Sequence, residues 1–218
     1  MLALSFVTMS MLCLAMIIVE GKKLPRQIYA TLKVLAASLF VVVGALLAGT
    51  EADASRFFIA ALVLSWLGDV LLIPKGHKGV FLGGLVAFLL AHVMYVPAFV
   101  ARGVDVQAFA GAGVATLLPI GLVLRWLWRR VQGTMRYAVV AYVFVISTML
   151  SAAFACTVEG ASKNGGVSPL LFVGAAVFYL SDITVARERF VAPGYINRVF
   201  GIPLYFFAQL LLIAGFTG

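Results

Sequence analysis

Charged side chains are scarce in this sequence, and that scarcity excludes the commonest class of protein. They make up 11% of the 218 residues, whereas 64% are hydrophobic and the mean hydropathy is +1.12. In a water-soluble globular domain about a quarter of the residues are charged. The composition therefore predicts a polytopic membrane protein, surrounded by membrane lipid.

Metal ligands and a basic surface are also lacking. The two cysteines, Cys13 and Cys156, show neither a disulfide framework nor metal-ligand spacing. A catalytic zinc ion takes three protein ligands, and the chain would have to combine Asp69, Asp182 and His92 to supply them. We therefore predict no metal and no cofactor. The net charge of +8 is scattered over short loops without a continuous basic face, which argues against nucleic-acid binding.

Long apolar runs occupy almost the whole chain. A helix needs about 20 apolar residues to cross the hydrocarbon core. Eight such runs can be drawn, at residues 2–19, 27–49, 56–73, 79–101, 106–124, 136–157, 167–185 and 199–217. The first run lacks a basic start and a cleavage site, so we predict a retained helix and not a signal peptide. The fold class is all-α, with residues 1–218 forming one eight-helix transmembrane domain in the cell membrane.

The loops between these runs differ in basic content. The first, third, fifth and seventh loops contain twelve Lys and Arg residues, the even-numbered loops contain three, and the two tails contain none. Basic residues concentrate in cytoplasmic loops. This predicts that both termini lie on the non-cytoplasmic side.

A weak internal repeat relates the two halves of the chain. WLGDVLL at 66–72 resembles YLSDITV at 179–185, and LLAHVMY at 89–95 aligns with FFAQLLL at 206–212. Four helices separate the copies, so a parallel duplication of a four-helix unit would explain the likeness. Chance similarity between apolar segments would explain it as well.

Ionisable groups inside the apolar runs are candidates for a functional site, because each costs several kcal/mol to bury in hydrocarbon. Counted from the nearest basic residue of an odd-numbered loop at about 1.5 Å per residue, five polar side chains lie roughly 8–11 Å inside the membrane. These are Lys33, Asp69, Tyr142, Asp182 and Tyr205. His92 lies deeper, about 21 Å from Lys78 by the same count. The shared depth predicts one polar pocket on the cytoplasmic side.

Helical spacing adds two residues to this pocket. Tyr179 lies three residues before Asp182, and Gln209 four residues after Tyr205, so each pair shares a helix face. A structural alternative stays open, in which the acids form packing ion pairs with Lys33 or hydrogen bonds between helices.

Two carboxyl groups in a low-dielectric pocket tend to share one proton, which leaves an acid beside a base. That combination suits a reaction through an oxocarbenium-like cation, in which one group donates a proton and the other stabilises the cation or activates water. The acids therefore suit reactions that pass through such a cation, as in glycosidases.

An ordered set of residues along nearly the whole chain resembles the YhhN family of eight-helix membrane proteins, which includes the lysoplasmalogenases. The set is Gly68-Asp69, Phe81, Phe88, Ala91-His92, Tyr95, Gly174-Ala175, Phe178, Ser181-Asp182, Tyr205 and Gln209. The resemblance implies hydrolysis of the vinyl-ether bond of a lysoplasmalogen, a lysophospholipid, to a fatty aldehyde and a glycerophospho-base.

We expect Asp69, Asp182 and His92 to be catalytic, one aspartic acid donating a proton and the other holding the water. The lipid would contact further polar residues, with Lys75, Arg187 or Arg198 available for its phosphate. The expected substrate-binding residues are Lys33, Tyr95, Tyr142, Tyr179, Tyr205, Gln209 and Arg187.

Two other functions use the same residues. A transporter of small solutes or lipids would also place acids within the membrane, although its polar residues should continue through the full depth of the bundle. A non-enzymatic protein that binds lipid or a partner would use the acids to fix helix register. The oligomeric state is left open.

Overall fold

The computed structural model of the protein describes residues 1–49, 52–74, 76–162 and 168–218. It confirms the all-α fold and the eight helices. Their bounds are α1 Leu2–Gly21, α2 Arg26–Ala48, α3 Asp53–Leu71, α4 Lys78–Arg102, α5 Val106–Trp128, α6 Thr134–Ser162, α7 Leu170–Ala186 and α8 Tyr195–Thr217. A π-helical turn, Arg187–Val191, continues α7. With that turn included, all eight are long and apolar enough to cross a membrane, as expected for a multi-pass membrane protein.

The helix ends follow local chemistry. Pro25, which has no N–H to leave unpaired, directly precedes α2. The side chain of Asp105 accepts a hydrogen bond from the N–H of Ala108 at 2.6 Å and so caps α5. Gly103, with a φ of 105°, follows the last residue of α4, in a conformation that other residues rarely adopt.

Several predicted loop arginines lie instead in helix ends. Helix α5 continues to Trp128 and α6 begins at Thr134, so Arg125 and Arg136 are both helical. The guanidinium of Arg136 lies 4.4 Å from the ring centre of Trp128. A long apolar stem lets an arginine charge reach the membrane surface from within a helix, which is why the predicted boundaries were too short.

The bundle is built around two closely packed helix pairs, α3 with α4 and α7 with α8. Helix α2 contacts α1, α3 and α8, whereas α6 contacts α4, α5 and α7. Helix α5 lies at the edge of the bundle, with Val114, Leu117 and Leu118 exposed. The buried centre between the two pairs is therefore bounded by α2 on one side and by α6 on the other.

Glycines permit the close approach within both pairs. A methyl group on Gly68 of α3 would lie 2.6 Å from the ring of Phe88 on α4. A methyl group on Gly174 of α7 would lie 2.7 Å from the backbone nitrogen of Leu212 on α8. Small residues at such positions let transmembrane helices pack on their backbones.

We expect Gly174→Ala to lower the stability of the folded protein, because the added methyl group meets backbone that cannot turn aside. Overpacking of this kind costs about 1–3 kcal/mol. The control is Gly111→Ala in α5, where a Cβ atom meets nothing within 4 Å. Thermal unfolding of both variants in the same detergent measures the difference, and equal midpoints would contradict the proposed close contact.

Candidate active site

Asp69 lies in the last turn of α3 and is 2% exposed. The Nζ atom of Lys33, on α2, is 3.1 Å from its Oδ1 atom and 3.2 Å from its main-chain oxygen. The hydroxyl of Tyr205, on α8, donates to Oδ2 at 2.6 Å. Both carboxyl oxygens of Asp69 thus have a partner, and one partner carries a positive charge.

Gln209 and Tyr95 extend this cluster towards the middle of the bundle. The amide nitrogen of Gln209 donates to the hydroxyl oxygen of Tyr205 at 3.4 Å, and the hydroxyl of Tyr95 donates to Oε1 of Gln209 at 2.7 Å. Tyr95 and Gln209 are both fully buried. Because each acceptor is matched by a donor, the chain of hydrogen bonds orients the Tyr205 hydroxyl towards Asp69.

Asp182, on α7, forms the second cluster. The hydroxyl of Tyr142, on α6, donates to its Oδ2 atom at 2.9 Å. The Nε2 atom of His92, on α4, lies 3.7 Å from the same oxygen. The side chain of Asp182 is 18% exposed, whereas that of His92 is completely buried. Asp182 is thus the more accessible of the two acids and faces an imidazole where Asp69 faces an ammonium group.

The hydrogen bond between His92 and the backbone defines the tautomer of the ring. Its Nδ1 atom lies 2.6 Å from the carbonyl oxygen of Phe88, and a carbonyl can only accept, so Nδ1 carries a hydrogen. The Nε2 atom of the neutral ring then presents a lone pair. This atom is buried and makes no hydrogen bond. A buried polar atom without a partner marks a place where a proton, a water molecule or a ligand group is expected.

Aromatic rings separate the two clusters. The ring of Phe178 lies 4.7 Å from that of His92 and 5.3 Å from that of Tyr205, centre to centre. The ring of Phe88 lies 5.6 Å from that of Tyr205. The ring of Phe178 therefore contacts a residue of each cluster, and the described contacts place each carboxyl group in a cluster of its own.

Other predicted site residues lie at the margin of the clusters. The hydroxyl of Tyr179 is 3.5 Å from Oγ of Ser147, on α6. The guanidinium of Arg187 donates to the side-chain oxygen of Asn197. Lys75, a candidate phosphate ligand, lies outside the described residues. The contacts thus connect Tyr179 and Arg187 to neighbours other than the acids.

A charged network at the same end of the bundle was missed from the sequence. Arg198 forms ion pairs with Glu20 of α1 and with Glu188 of the π-helical turn. Oε2 of Glu188 also accepts from Nδ2 of Asn197 at 2.7 Å and from the N–H of Gly194 at 2.7 Å. In the sequence, the signal for this network was that Glu20 and Glu188 each lie near basic residues at the end of an apolar run. The network joins α1 to α8 and occupies Arg198.

The sequence also matches a known protein family. The sequence profile of the YhhN family matches residues 28–216. The chain belongs to the YhhN family. No solved structure matches it.

Curated relatives of this YhhN-family protein are similar over about three quarters of its length. It is 29% identical over 163 residues to the bovine protein named lysoplasmalogenase TMEM86A (Bos taurus), covering 75% of this chain and 65% of the relative. The human protein of that name (Homo sapiens) is 31% identical, with coverages of 73% and 64%. The Mycobacterium bovis protein named lysoplasmalogenase is 28% identical, with coverages of 74% and 60%. The chain thus spans less than two thirds of these relatives.

Near the charged end of the bundle, α4 and α7 of the YhhN-family protein lie side by side. The π-helical turn carries α7 further, so that the guanidinium of Arg189 lies 3.9 Å from the ring centre of Phe81 on α4. The first turns of α4 therefore lie beside this extension. Further along the same two helices the His92 and Asp182 side chains meet, with Nε2 3.7 Å from Oδ2.

Within the four described segments, no three His, Cys, Asp or Glu side chains lie together as metal ligands would. The described part of the site offers hydrogen-bonding and proton-transfer groups in hydrophobic surroundings. A metal-independent reaction stays a prediction.

Proposed function

We propose that this YhhN-family protein is a lysoplasmalogenase-type ether hydrolase of the cell membrane. It would cleave the vinyl-ether bond of a lysoplasmalogen to a fatty aldehyde and a glycerophospho-base. The observation that carries the proposal is the buried, unpartnered Nε2 atom of His92 beside the carboxyl group of Asp182. The relatives named lysoplasmalogenase support the choice of substrate.

Vinyl-ether hydrolysis requires a proton on carbon. The Asp182 carboxyl group, held by Tyr142, would donate its proton to the alkene carbon remote from the ether oxygen. The π electrons form the new C–H bond, and the positive charge is shared between the other alkene carbon and the oxygen. General acids of this kind contribute about 10²–10⁴-fold to the rate.

A water molecule then attacks the cationic carbon. Asp182, now a carboxylate, or the lone pair of His92 would accept a proton from this water. The resulting hemiacetal collapses when its hydroxyl proton is lost and the glycerol oxygen gains one, which releases the aldehyde. One water molecule is consumed, and the donor regains its proton.

We assign Asp69 a different part from Asp182, because Lys33 pairs with it. A carboxyl group paired with an ammonium group favours the ionised form and is a poor proton donor. Its negative charge would stabilise the oxocarbenium ion, with Tyr205 and Gln209 holding its orientation. This division leaves Asp182 as the donor.

The end of the bundle with the charged network would receive the head group. Arg187 bonds to the neutral side chain of Asn197, so its positive charge stays available for a phosphate. Arg198 is less suitable because two glutamates already pair with it. By the excess of basic residues in the odd-numbered loops, this end is cytoplasmic and both termini lie on the other side.

The far end of the polar chain favours hydrolysis over transport. The polar path from Asp69 ends at Tyr95, whose ring packs 5.5 Å from that of Phe58. The ring of Phe58 in turn stacks 4.1 Å from that of Phe216, and all three residues are at most 1% exposed. These rings close the branch of the polar path that runs through Tyr95, which supports a pocket entered from one end. Solute movement in proteoliposomes without substrate cleavage would instead favour a transporter over a hydrolase.

The test is aldehyde release from lysoplasmenyl-ethanolamine by detergent-purified protein. We expect release that a chelator does not inhibit. In heavy water the aldehyde should carry one deuterium at the carbon next to the carbonyl, because the proton is delivered there. Preformed aldehyde incubated with the protein controls for exchange. Absence of release from folded protein would contradict the proposed function, and chelator-sensitive release would contradict the metal-free reaction.

A further inference from the structure

A groove on the membrane-facing side of the bundle lies next to the His92 cluster. It has a volume of about 350 Å³ and is lined by Val93, Val96 and Pro97 of α4 and by Val145 and Thr148 of α6. Thr148 donates its hydroxyl hydrogen to the carbonyl of Phe144, so its polar group is already bonded. The groove therefore presents a hydrocarbon-like surface.

The groove lies further along both helices than the His92 cluster, on the side away from the charged end. Val93 directly follows His92, and Val145 lies one turn beyond Tyr142. From these residues the lining runs away from the charged end of the bundle for about 6 Å, at 1.5 Å per residue. The charged end, the Asp182 cluster and the groove thus follow one another in the order of a lysophospholipid's head group, ether bond and chain.

One of the residues that line the groove is a proline within α4. Pro97 lies inside α4 and cannot donate the backbone hydrogen bond that would reach the carbonyl of Val93, and its ring crowds that turn. Such a residue bends a helix locally. The opening lies where the chain of a lipid bound at Asp182 would leave the bundle.

We propose that this α4–α6 groove binds the alkenyl chain of the lipid substrate and determines where the vinyl-ether bond sits relative to Asp182. The inference rests on the proposed function and names the chain-binding part of the same site. A chain already in lipid gains little from an apolar groove, because the bilayer is equally apolar. The groove therefore acts by positioning the vinyl-ether bond. Its effect should appear in the turnover rate and in the preference for chain length.

The test compares Val96→Phe and Val145→Phe, which fill the groove, with Val63→Phe on the exposed face of α3. We expect the first two to lower kcat/KM for a hexadecenyl substrate by about tenfold to a hundredfold through misplacement of the reacting bond. A prop-1-enyl substrate, whose chain ends one carbon beyond the vinyl-ether bond, does not extend into the groove and should be cleaved at the wild-type rate. Val63→Phe should change neither. An equal loss for both chain lengths, or no loss, would overturn the proposal.

A second measurement does not depend on cleavage. An uncleavable alkyl-ether lysophospholipid with a diazirine in its chain is photolysed on the protein, and the labelled peptides are identified by mass spectrometry. We expect labels at residues 93–97 and 145–148, and their loss in Val96→Phe but not in Val63→Phe. Such labelling without aldehyde release would support binding of the chain in the groove and would contradict the proposed hydrolysis. Labels spread evenly over the exposed helices would overturn the proposal that the groove binds the chain, whether or not the protein cleaves the substrate. Val96→Ala, which cannot overpack, should keep the labels and serves if the larger variants do not fold.

Discussion

Asp182→Asn is expected to lower aldehyde release by about 10²–10⁴-fold, the contribution of a positioned general acid. The amide keeps the shape of the side chain and can still accept from Tyr142, whose hydroxyl donates at 2.9 Å. It cannot deliver a proton to the alkene carbon. Turnover under saturating lysoplasmenyl-ethanolamine is the measurement, because the lost group acts on the reacting bond.

A matched control separates this chemistry from a general effect of losing an acid. Asp53→Asn removes a carboxyl group that is 78% exposed and paired with Arg56 at the start of α3. It should leave turnover unchanged. Full turnover in a folded Asp182→Asn protein would show that Asp182 is not the proton donor and would assign that role to Asp69.

The second large effect concerns the ion pair between Lys33 and Asp69. Lys33→Met would leave the Asp69 carboxylate buried without its cation, and breaking a buried pair in this way costs about 3–5 kcal/mol. We expect the double variant Lys33→Met/Asp69→Asn to recover most of that stability, because no uncompensated charge remains. Denaturant unfolding of the single and double variants in detergent gives the coupling energy.

The same double variant separates a packing role from a catalytic one. If Asp69 only fixes helix register, the stabilised double variant should retain turnover. If its charge stabilises the oxocarbenium ion, turnover should fall even though the protein is stable. A loss of stability in the double variant equal to the sum of the losses in Lys33→Met and Asp69→Asn would show that the pair contributes nothing to folding.

Counting residues along helices was enough to group much of the site. The shared depth of Lys33, Asp69 and Tyr205 was predicted, and the three side chains are in contact. The same count placed Asp182 level with Tyr142, which donates to it. Depth along a helix follows from a constant rise per residue, and this makes it readable from sequence.

The separation of the acids was not predicted, because depth says nothing about rotation around the bundle. Two side chains at one level can face each other or be divided by a ring, and Phe178 stands between His92 and Tyr205. The unpartnered Nε2 of His92 also depends on where its ring points. These features depend on helix packing, about which a hydropathy pattern carries no information.

The contacts also bear on the weak internal repeat. Asp69 of α3 is held by α2 and α8, and Asp182 of α7 contacts α6 and α4. Exchanging the first four helices for the last four converts one set of helices into the other. This supports a parallel duplication, with partners that differ between the halves, and the duplication stays a prediction.

Helix number, approximate helix bounds and the position of each buried acid along its helix follow from the amino-acid order alone. Each depends on local quantities, namely the length of an apolar run, the position of the nearest charge and the rise of a helix. Which helices pair, which donor reaches which carboxyl oxygen, and where α4 and α6 leave a groove depend on residues far apart in the chain. Those features required the three-dimensional packing, because close approaches such as Gly174 to Leu212 are set by both helices at once.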